Sequence, residues 1–554
     1  MTTIFYLKLR LLIKIFDILK SNIILILLFT IPCTVLPQSV EYDVSQTDFY
    51  FTLSDEVKLE CTKFIPLGEP PIAGWPAVVF CHGYGGHKGN EQSYAREQAT
   101  IGYYTIVYSM RGQGKSEGKS NLISSLEMRD FMELVNFVKN EEYVNRNKIA
   151  AVGGSQGGTI PFMAACNGMD LTCIVSDVAA PDFATSWIEN NSVKMTLLWS
   201  LSYDSTIVRY NDQLKRMRHW ILNDLQPGYW DSIAFYMPLE RDFMDRVHTN
   251  KSPIIISTVW QDKFFSTQGM IKAAYLLNVP YRMYFGTFDA HGADPYEKEM
   301  KYQEQFVSNW LEYWMRDNKT GIIDSVRFTY ASSIFPQDFS IQPPMWNWVW
   351  NSSPVWPPEG TNSVKFYFNE DNELSTSYDQ GTGYITLKNE INDSNLTLLE
   401  AINREFKGEV FESKFKKNEH IFDSQPLDQN VLMAGTPRVH LRYNSNAPIS
   451  QYNFQIWEIH PDKTAKLVTR ANYTDRKNNP NSEKYFDFYG ISHSHMFMKG
   501  SKIRIIITNL DNTTDDRFLR SNPHVLPVIM KAKTKIYTEG KNATYIELPL
   551  INYK

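Results

Sequence analysis

Short apolar runs recur through the first part of the chain, separated by longer amphipathic stretches. Residues 77–81 (AVVFC), 104–108 (YTIVY), 148–152 (KIAAV), 172–176 (TCIVS), 253–259 (PIIISTV) and 281–285 (YRMYF) predict strands buried on both faces. Residues 125–140 bring Leu126, Met128, Phe131, Leu134, Val135 and Val138 to near-helical spacing, which predicts an amphipathic helix returning along the sheet. This alternation builds a doubly wound, mainly parallel α/β sheet covered by helices on both faces. Further along, the period changes. Residues 438–443 (RVHLRY), 453–459 (NFQIWEI), 502–508 (KIRIIIT) and 544–548 (TYIEL) lie between Asn, Asp, Gly and Pro turns and predict an all-β sandwich.

Two stretches interrupt these patterns. About 70 residues rich in Trp, Tyr, Met and charge separate the strand near Ser176 from the one starting at Pro253. An α/β connection needs only about two to six residues, so an inserted helical cap at about 183–250 is expected. Between Val326 and Pro358, Pro343, Pro344, Trp346, Trp348, Trp350, Trp356, Pro357 and Pro358 crowd together. The resulting division is a catalytic α/β domain over 39–325, a Trp- and Pro-rich interdomain crossing over 326–360 and a β-sandwich over 361–554. No internal repeat or low-complexity tract is present.

The first residues have a different character. Lys8, Arg10, Lys14 and Lys20 precede the apolar run 22–31 (NIILILLFTI), which is too short to span a bilayer comfortably. This layout predicts a signal peptide over 1–38 and an exported protein, periplasmic, secreted or at the cell surface. No stable membrane span would remain after cleavage. The rival readings are an uncleaved anchor and a lipoprotein modified at Cys33, the second opposed by Pro32. Removing 1–38 takes four cations and Asp17 from 56 Lys+Arg and 61 Asp+Glu, leaving 52 against 60 and a formal charge of −8. That balance excludes nucleic acid as a partner. With 43% hydrophobic and 21% charged residues, the chain is also too apolar to be disordered. Cys61, Cys81, Cys166 and Cys173 show neither CxxC pairs nor metal-ligand spacing, so neither metal nor cofactor is expected. Cys166 and Cys173 are open to either a disulfide or simple burial.

One motif carries chemistry. Gly153-x-Ser155-x-Gly157 lies between a buried strand and the helix-compatible TIPFMAAC, the context of a nucleophile elbow. Ser155 is the candidate nucleophile, and the N–H of Gln156 would point where an oxyanion develops. Close approach of the backbone is expected at Gly154 and Gly157. The fold orders its triad Ser, acid, His, and His291 follows the last predicted strand as candidate base. His219 and His248 read as surface histidines. Asp262, just past the strand 253–259, is the candidate acid, with Asp289, Asp177 and Asp182 as competitors. The loop His82-Gly83-Tyr84-Gly85-Gly86 would supply a second oxyanion donor from the Tyr84 amide or phenol, with His82 a core residue. Arg111-Gly-Gln-Gly-Lys-Ser116 lacks the spacing of a phosphate loop, so nucleotide binding is not expected.

Cys81-His-Gly-Tyr-Gly-Gly86, Tyr108-Ser-Met-Arg-Gly-Gln-Gly-Lys-Ser116 and Val152-Gly-Gly-Ser-Gln-Gly-Gly158 together resemble the Xaa-Pro dipeptidyl-peptidase and cocaine-esterase-like family of α/β-hydrolases. Residues 437–447 (PRVHLRYNSNA), 497–510 (FMKGSKIRIIITNL) and 545–551 are similar to its C-terminal jelly-roll domain. The resemblance implies a Ser155, Asp262, His291 triad, with Tyr84 where the family has an oxyanion tyrosine. Members often carry Tyr after the nucleophile, whereas this chain has Gln156. The expected activity is an exported serine hydrolase working through an acyl-enzyme, an Xaa-Pro dipeptidyl-peptidase-like peptidase acting on small peptides. The alternatives are an acyl esterase or amidase of the cocaine-esterase type and, in another class, a non-catalytic carbohydrate- or surface-binding protein. A peptidase of this kind must anchor a free substrate amine, and the cap offers Glu189, Asp204, Asp231 and Glu240.

Overall fold

The computed structural model describes residues 41–202, 207–260, 262, 264–286, 297–338, 345–391, 393–401, 415–511 and 524–553. Ahead of the first expected strand, Asp43–Thr52 and Lys58–Leu67 pair antiparallel and form one edge of the N-terminal sheet. Lys58–Leu67 pairs antiparallel with Tyr104–Tyr108, and from there as far as Phe328–Asp338 the pairings are parallel. In space the strands then run Tyr104–Tyr108, Trp75–Cys81, Val144–Gly154, Cys173–Asp177, Ile254–Val259, Tyr281–Gly286 and Phe328–Asp338. Parallel pairs need long crossovers, which here supply the covering helices.

The continuous apolar runs are explained by burial on both sides of the sheet. Ala77, Val79, Ile106 and Ala151 pack with Phe131, Leu134 and Val138 of the helix Ser125–Lys139 and with Ile160 and Ala164 of the helix Gln156–Cys166. The alternate positions Val78, Phe80, Val107 and Ala150 meet Trp310, Leu311 and Met315 of the helix Glu297–Arg316, with Ala95 and Ala99 of the helix Lys88–Thr100. Ser125–Lys139 starts where the sequence permits, because Ser124 and Glu127 form a reciprocal capping box. The segment expected as a cap folds into the helices Phe183–Ser186, Met195–Ser202, Asp212–Leu222 and Tyr229–Leu239, a short hairpin of Ile188–Glu189 with Ser192–Val193, and the 3-10 turn Met244–Thr249.

Most of the Trp- and Pro-rich stretch is itself strand. Phe328–Asp338 pairs antiparallel with Met345–Ser353 and also parallel with His493–Phe497, Ser333 opposite His495 and Ile334 opposite Met496. One hydrogen-bonded sheet therefore runs from the α/β half into a strand-rich C-terminal region. There Asn362–Phe368, Arg438–Ser445, Ala532–Tyr537 and Tyr545–Ile551 belong to one layer. Glu419–Asp423, Lys502–Thr508, Ser450–Ile459 and Ala465–Asp475 form a four-stranded second layer. Phe366, Leu441, Tyr443 and Ile546 from the first and Phe454, Ile456, Val468 and Ile505 from the second fill a common core.

Cys61, Cys81, Cys166 and Cys173 are free and buried, so no bridge links Cys166 to Cys173. Burial pushes the Cys61 thiol up to about 12. No helix among the described residues is long and apolar enough to cross a membrane.

Candidate active site

The strand Val144–Gly154 turns directly into the helix Gln156–Cys166, and Ser155 sits alone at the junction with φ 58° and ψ −122°. A serine held at positive φ is strained by roughly 1–3 kcal/mol, and here the surroundings hold it there. Its N–H donates to Asp177 O at 2.8 Å, while its carbonyl accepts from Gly158 N at 3.1 Å and from Thr159 N and Oγ1, both at 2.9 Å. With its backbone fixed at both ends, the half-buried side chain is lifted off the end of the sheet. The glycines make the turn possible. A Cβ on Gly153 would lie 2.5 Å from Cys81 O, one on Gly157 would lie 2.0 Å from the same oxygen, and one on Gly158 would lie 2.8 Å from Asp177 O. At Gly154 the nearest atom would be Asp177 Oδ2 at 3.4 Å, so the close approaches fall at 153, 157 and 158 and not at the expected 154.

Beside the elbow runs the loop from His82 to Gly86. A Cβ on Gly83 would be 3.8 Å from the Cβ of Ser155, which places this loop against the candidate nucleophile. His82 is fully buried and its Nε2 accepts from Met110 N at 2.9 Å, so the ring proton is on Nδ1, donated to Gly83 O at 2.7 Å. Burial lowers its pKa to about 4. Both nitrogens are thus committed to holding the loop, as expected of a core histidine. Tyr84 is half-buried, and its hydroxyl is hydrogen-bonded to that of Tyr210 from the cap. Gln156 turns its buried side chain away, Nε2 donating to Met110 Sδ at 2.7 Å. Only its backbone N–H is therefore left for an oxyanion.

The glycine-rich turn 111–116 has a structural task. Arg111 forks onto Asp130 through Nε and Nη2, both at 2.6 Å, and reaches Asp55 at 2.9 Å. Gly112 O accepts from Arg209 N at 2.8 Å, which ties the turn to the cap.

Asp262 lies three residues past Ile254–Val259, which is two strands along from the elbow strand, so it stands at the same end of the sheet as Ser155. It is 1% exposed, and Oδ1 accepts from Phe264 N at 2.7 Å and Phe265 N at 3.1 Å, so its own backbone fixes the carboxylate. His291 and Asp289 fall outside the described residues. Asp177 ends the strand Cys173–Asp177 and accepts from Ser257 Oγ, while Asp182 is buried near the start of the cap. His219 and His248 are both exposed, as expected of surface histidines. No group of three or more metal-ligating side chains occurs among the described residues.

Residues 55–280 match the X-Pro dipeptidyl-peptidase family (S15 family), and residues 310–547 match the X-Pro dipeptidyl-peptidase C-terminal non-catalytic domain. The chain belongs to this family of serine hydrolases.

Other likenesses are more remote. Two Escherichia coli proteins, each described as an uncharacterized 31.7 kDa protein in the traX-finO intergenic region, are 29% and 28% identical over 109 residues. That match takes in 19% of this chain and 38% of the length of each relative. The fold is similar to that of a CocE/NonD family hydrolase from Staphylococcus aureus, with TM-score 0.69 and 13% identity over 92% of this chain and 94% of the other. It is also similar to an alpha-amino acid ester hydrolase, with TM-score 0.68 and 14% identity over 96% and 99%. An aminopeptidase from a marine sediment archaeon, Thaumarchaeota archaeon, gives TM-score 0.67 and 14% identity over the same shares.

Two further groups of this S15-family chain were not found from sequence. The cap hairpin carries Glu189, whose carboxylate is fully buried and accepts no hydrogen bond from the described residues. Lys194 Nζ lies 4.0 Å from it and His524 Nε2 3.6 Å, both also buried and without a hydrogen bond among the described residues. Burial raises the Glu189 carboxyl to about 7 against the pull of Lys194. The second group has the composition of a hydrolytic triad without the access. Ser333 Oγ is 2.9 Å from His495 Nδ1, and His495 Nε2 is 2.9 Å from Glu458 Oε2. All three residues are buried in the seam between the two halves, so the group acts as a link. Neither has a local signature, because each takes one member from more than 100 positions away, His524 in the first and Ser333 in the second.

Proposed function

We propose that this chain cleaves acyl bonds through a covalent intermediate on Ser155. Ser155 Oγ attacks the scissile carbonyl, His291 takes its proton and passes it to the leaving group, and Asp262 orients the imidazole. Water, deprotonated by the same imidazole, then releases the acid. The N–H of Gln156, with Tyr84, would receive the oxyanion. The observation that carries this reading is the backbone of Ser155, a non-glycine residue at φ 58° between a buried strand and a helix, with Gly153 and Gly157 two residues to either side leaving no room for a Cβ. Fluorophosphonate labelling tests it. The wild-type protein should label and Ser155→Ala should not, whereas a folded wild type that never labels sinks the proposal and favours a binding protein.

Both halves of the chain match the X-Pro dipeptidyl-peptidase family, which supports removal of dipeptides from Xaa-Pro peptides. A second reading, an acyl esterase or amidase, is favoured by the cap. A peptidase needs a carboxylate to receive the substrate amine, yet Glu189 already has Lys194 Nζ 4.0 Å away. An Xaa-Pro chromogenic dipeptide set against a short-chain aryl ester separates the two by the ratio of kcat/KM. Export through residues 1–38 and a jelly-roll order in the C-terminal region belong to the same proposal. N-terminal sequencing of the mature protein should begin near residue 39.

A further inference from the structure

The loop bearing Asp262 and the strand leading toward His291 are joined by one indole. Trp260, two residues before Asp262, is fully buried. Its ring stacks on Phe285 with centroids 4.4 Å apart and planes 10° apart, and its backbone N–H donates to Gly286 O at 3.4 Å. Phe285 and Gly286 end the strand from which the chain proceeds to His291. The other contacts of the indole lie beyond the α/β half as it was expected from sequence. It stacks on Trp356 at 5.1 Å, meets His493 edge-on at 5.7 Å and donates from Nε1 to Ala331 O at 2.7 Å.

Those partners are themselves fixed. Trp356 Nε1 donates to Ser492 Oγ at 3.3 Å, and Ser332 Oγ lies 2.7 Å from Ser494 Oγ. Ser333 Oγ bridges His493 Nε2 at 3.3 Å and His495 Nδ1 at 2.9 Å, and Glu458 closes the chain. Trp260, Trp356, His493 and His495 are all buried in this seam, so a displacement on the C-terminal side would be transmitted to Trp260.

We infer that Trp260 is a positioning residue for the triad, and that the C-terminal region serves the reaction by clamping this indole between Phe285 on one side and Trp356 and His493 on the other. The inference rests on the serine-hydrolase reading above. A C-terminal region described in the family as non-catalytic would then hold the base of the Asp262 loop and the end of the strand that leads toward His291.

Trp260→Phe keeps an aromatic face and loses the N–H, while Trp260→Leu loses the stack. The Leu variant should lower kcat and the rate of fluorophosphonate labelling by roughly 30- to 100-fold, with KM held within about twofold. Phe should recover most of that loss. A carboxylate that no longer aligns with the imidazole stabilises its protonated form less, so the acid limb of the pH–rate profile should move to lower pH. A folded Leu variant with wild-type kcat and an unmoved profile overturns the clamp. If Leu does not fold, His493→Phe tests the far jaw. A fall in kcat of about three- to tenfold at constant KM is expected there, and unchanged constants overturn the inference. Failure of the underlying reading is recognised separately, because the wild type itself would then never label.

Discussion

The carbonyl oxygen of Cys81 would lie 2.0 Å from a Cβ on Gly157, so the first turn of the elbow helix rests directly on the backbone of the neighbouring strand. Gly157→Ala forces backbone apart from backbone, where no side chain can yield. It should cost roughly 3 kcal/mol or more, or abolish soluble expression. Gly154→Ala, one residue before the serine, should cost under about 1 kcal/mol, since its Cβ meets nothing nearer than 3.4 Å. Urea unfolding of the two variants checks the contrast, and equal losses would show that the close approach is misplaced.

Ser155 is held at φ 58° although it is not glycine. Ser155→Gly should therefore raise stability by roughly 1 kcal/mol while removing all acyl-enzyme formation. Thermal melts and fluorophosphonate labelling of the same preparation read both effects. A less stable glycine variant would mean that the serine is not strained.

Tyr84 offers either its amide or its phenol to an oxyanion, and the hydrogen bond to Tyr210 fixes the phenol in place. Tyr84→Phe should lower kcat about 10²-fold with little change in KM if the phenol is the donor. Tyr210→Phe, which only frees the Tyr84 hydroxyl, should cost less than tenfold. Equal kcat in Tyr84→Phe and wild type assigns the role to the amide.

His82 is neutral in the fold, its pKa lowered to about 4 by burial from the ordinary 6.5. The unfolded chain takes up the proton first, so the stability this residue contributes is complete above pH 6.5 and is lost as pH falls toward 4. Between pH 7 and 4.5 the wild type should lose roughly 2–3 kcal/mol more than His82→Gln. Parallel pH dependence of the two proteins in urea unfolding would refute this.

The parallel strands were legible because burial on both faces leaves an unbroken apolar run, as at Val78, Val79 and Phe80. The helix Lys88–Thr100 gave no such signal: only Ala95 and Ala99 are buried, and its cap is the side chain of His87 rather than a usual Ser, Thr or Asp. Asp43–Thr52 was equally hard to read, being an edge strand with no buried position. At the site, the elbow could be read from its glycines, whose spacing reflects a local steric demand. The cluster of Glu189, Lys194 and His524 and the contacts of Trp260 could not, because each joins residues distant in the chain whose proximity is a product of the tertiary fold. Trp346, Trp348, Trp350 and Trp356 suggested a crossing by composition, yet much of that stretch is paired as strand.

Because Ser333 and Ile334 are zipped to His495 and Met496, the two halves are not beads on a string. Cutting the gene near residue 360 would leave a raw sheet edge and a bare aromatic face on each fragment, and such fragments should clump rather than fold apart. A lineage that keeps this hydrolase is therefore bound to inherit both halves as one piece.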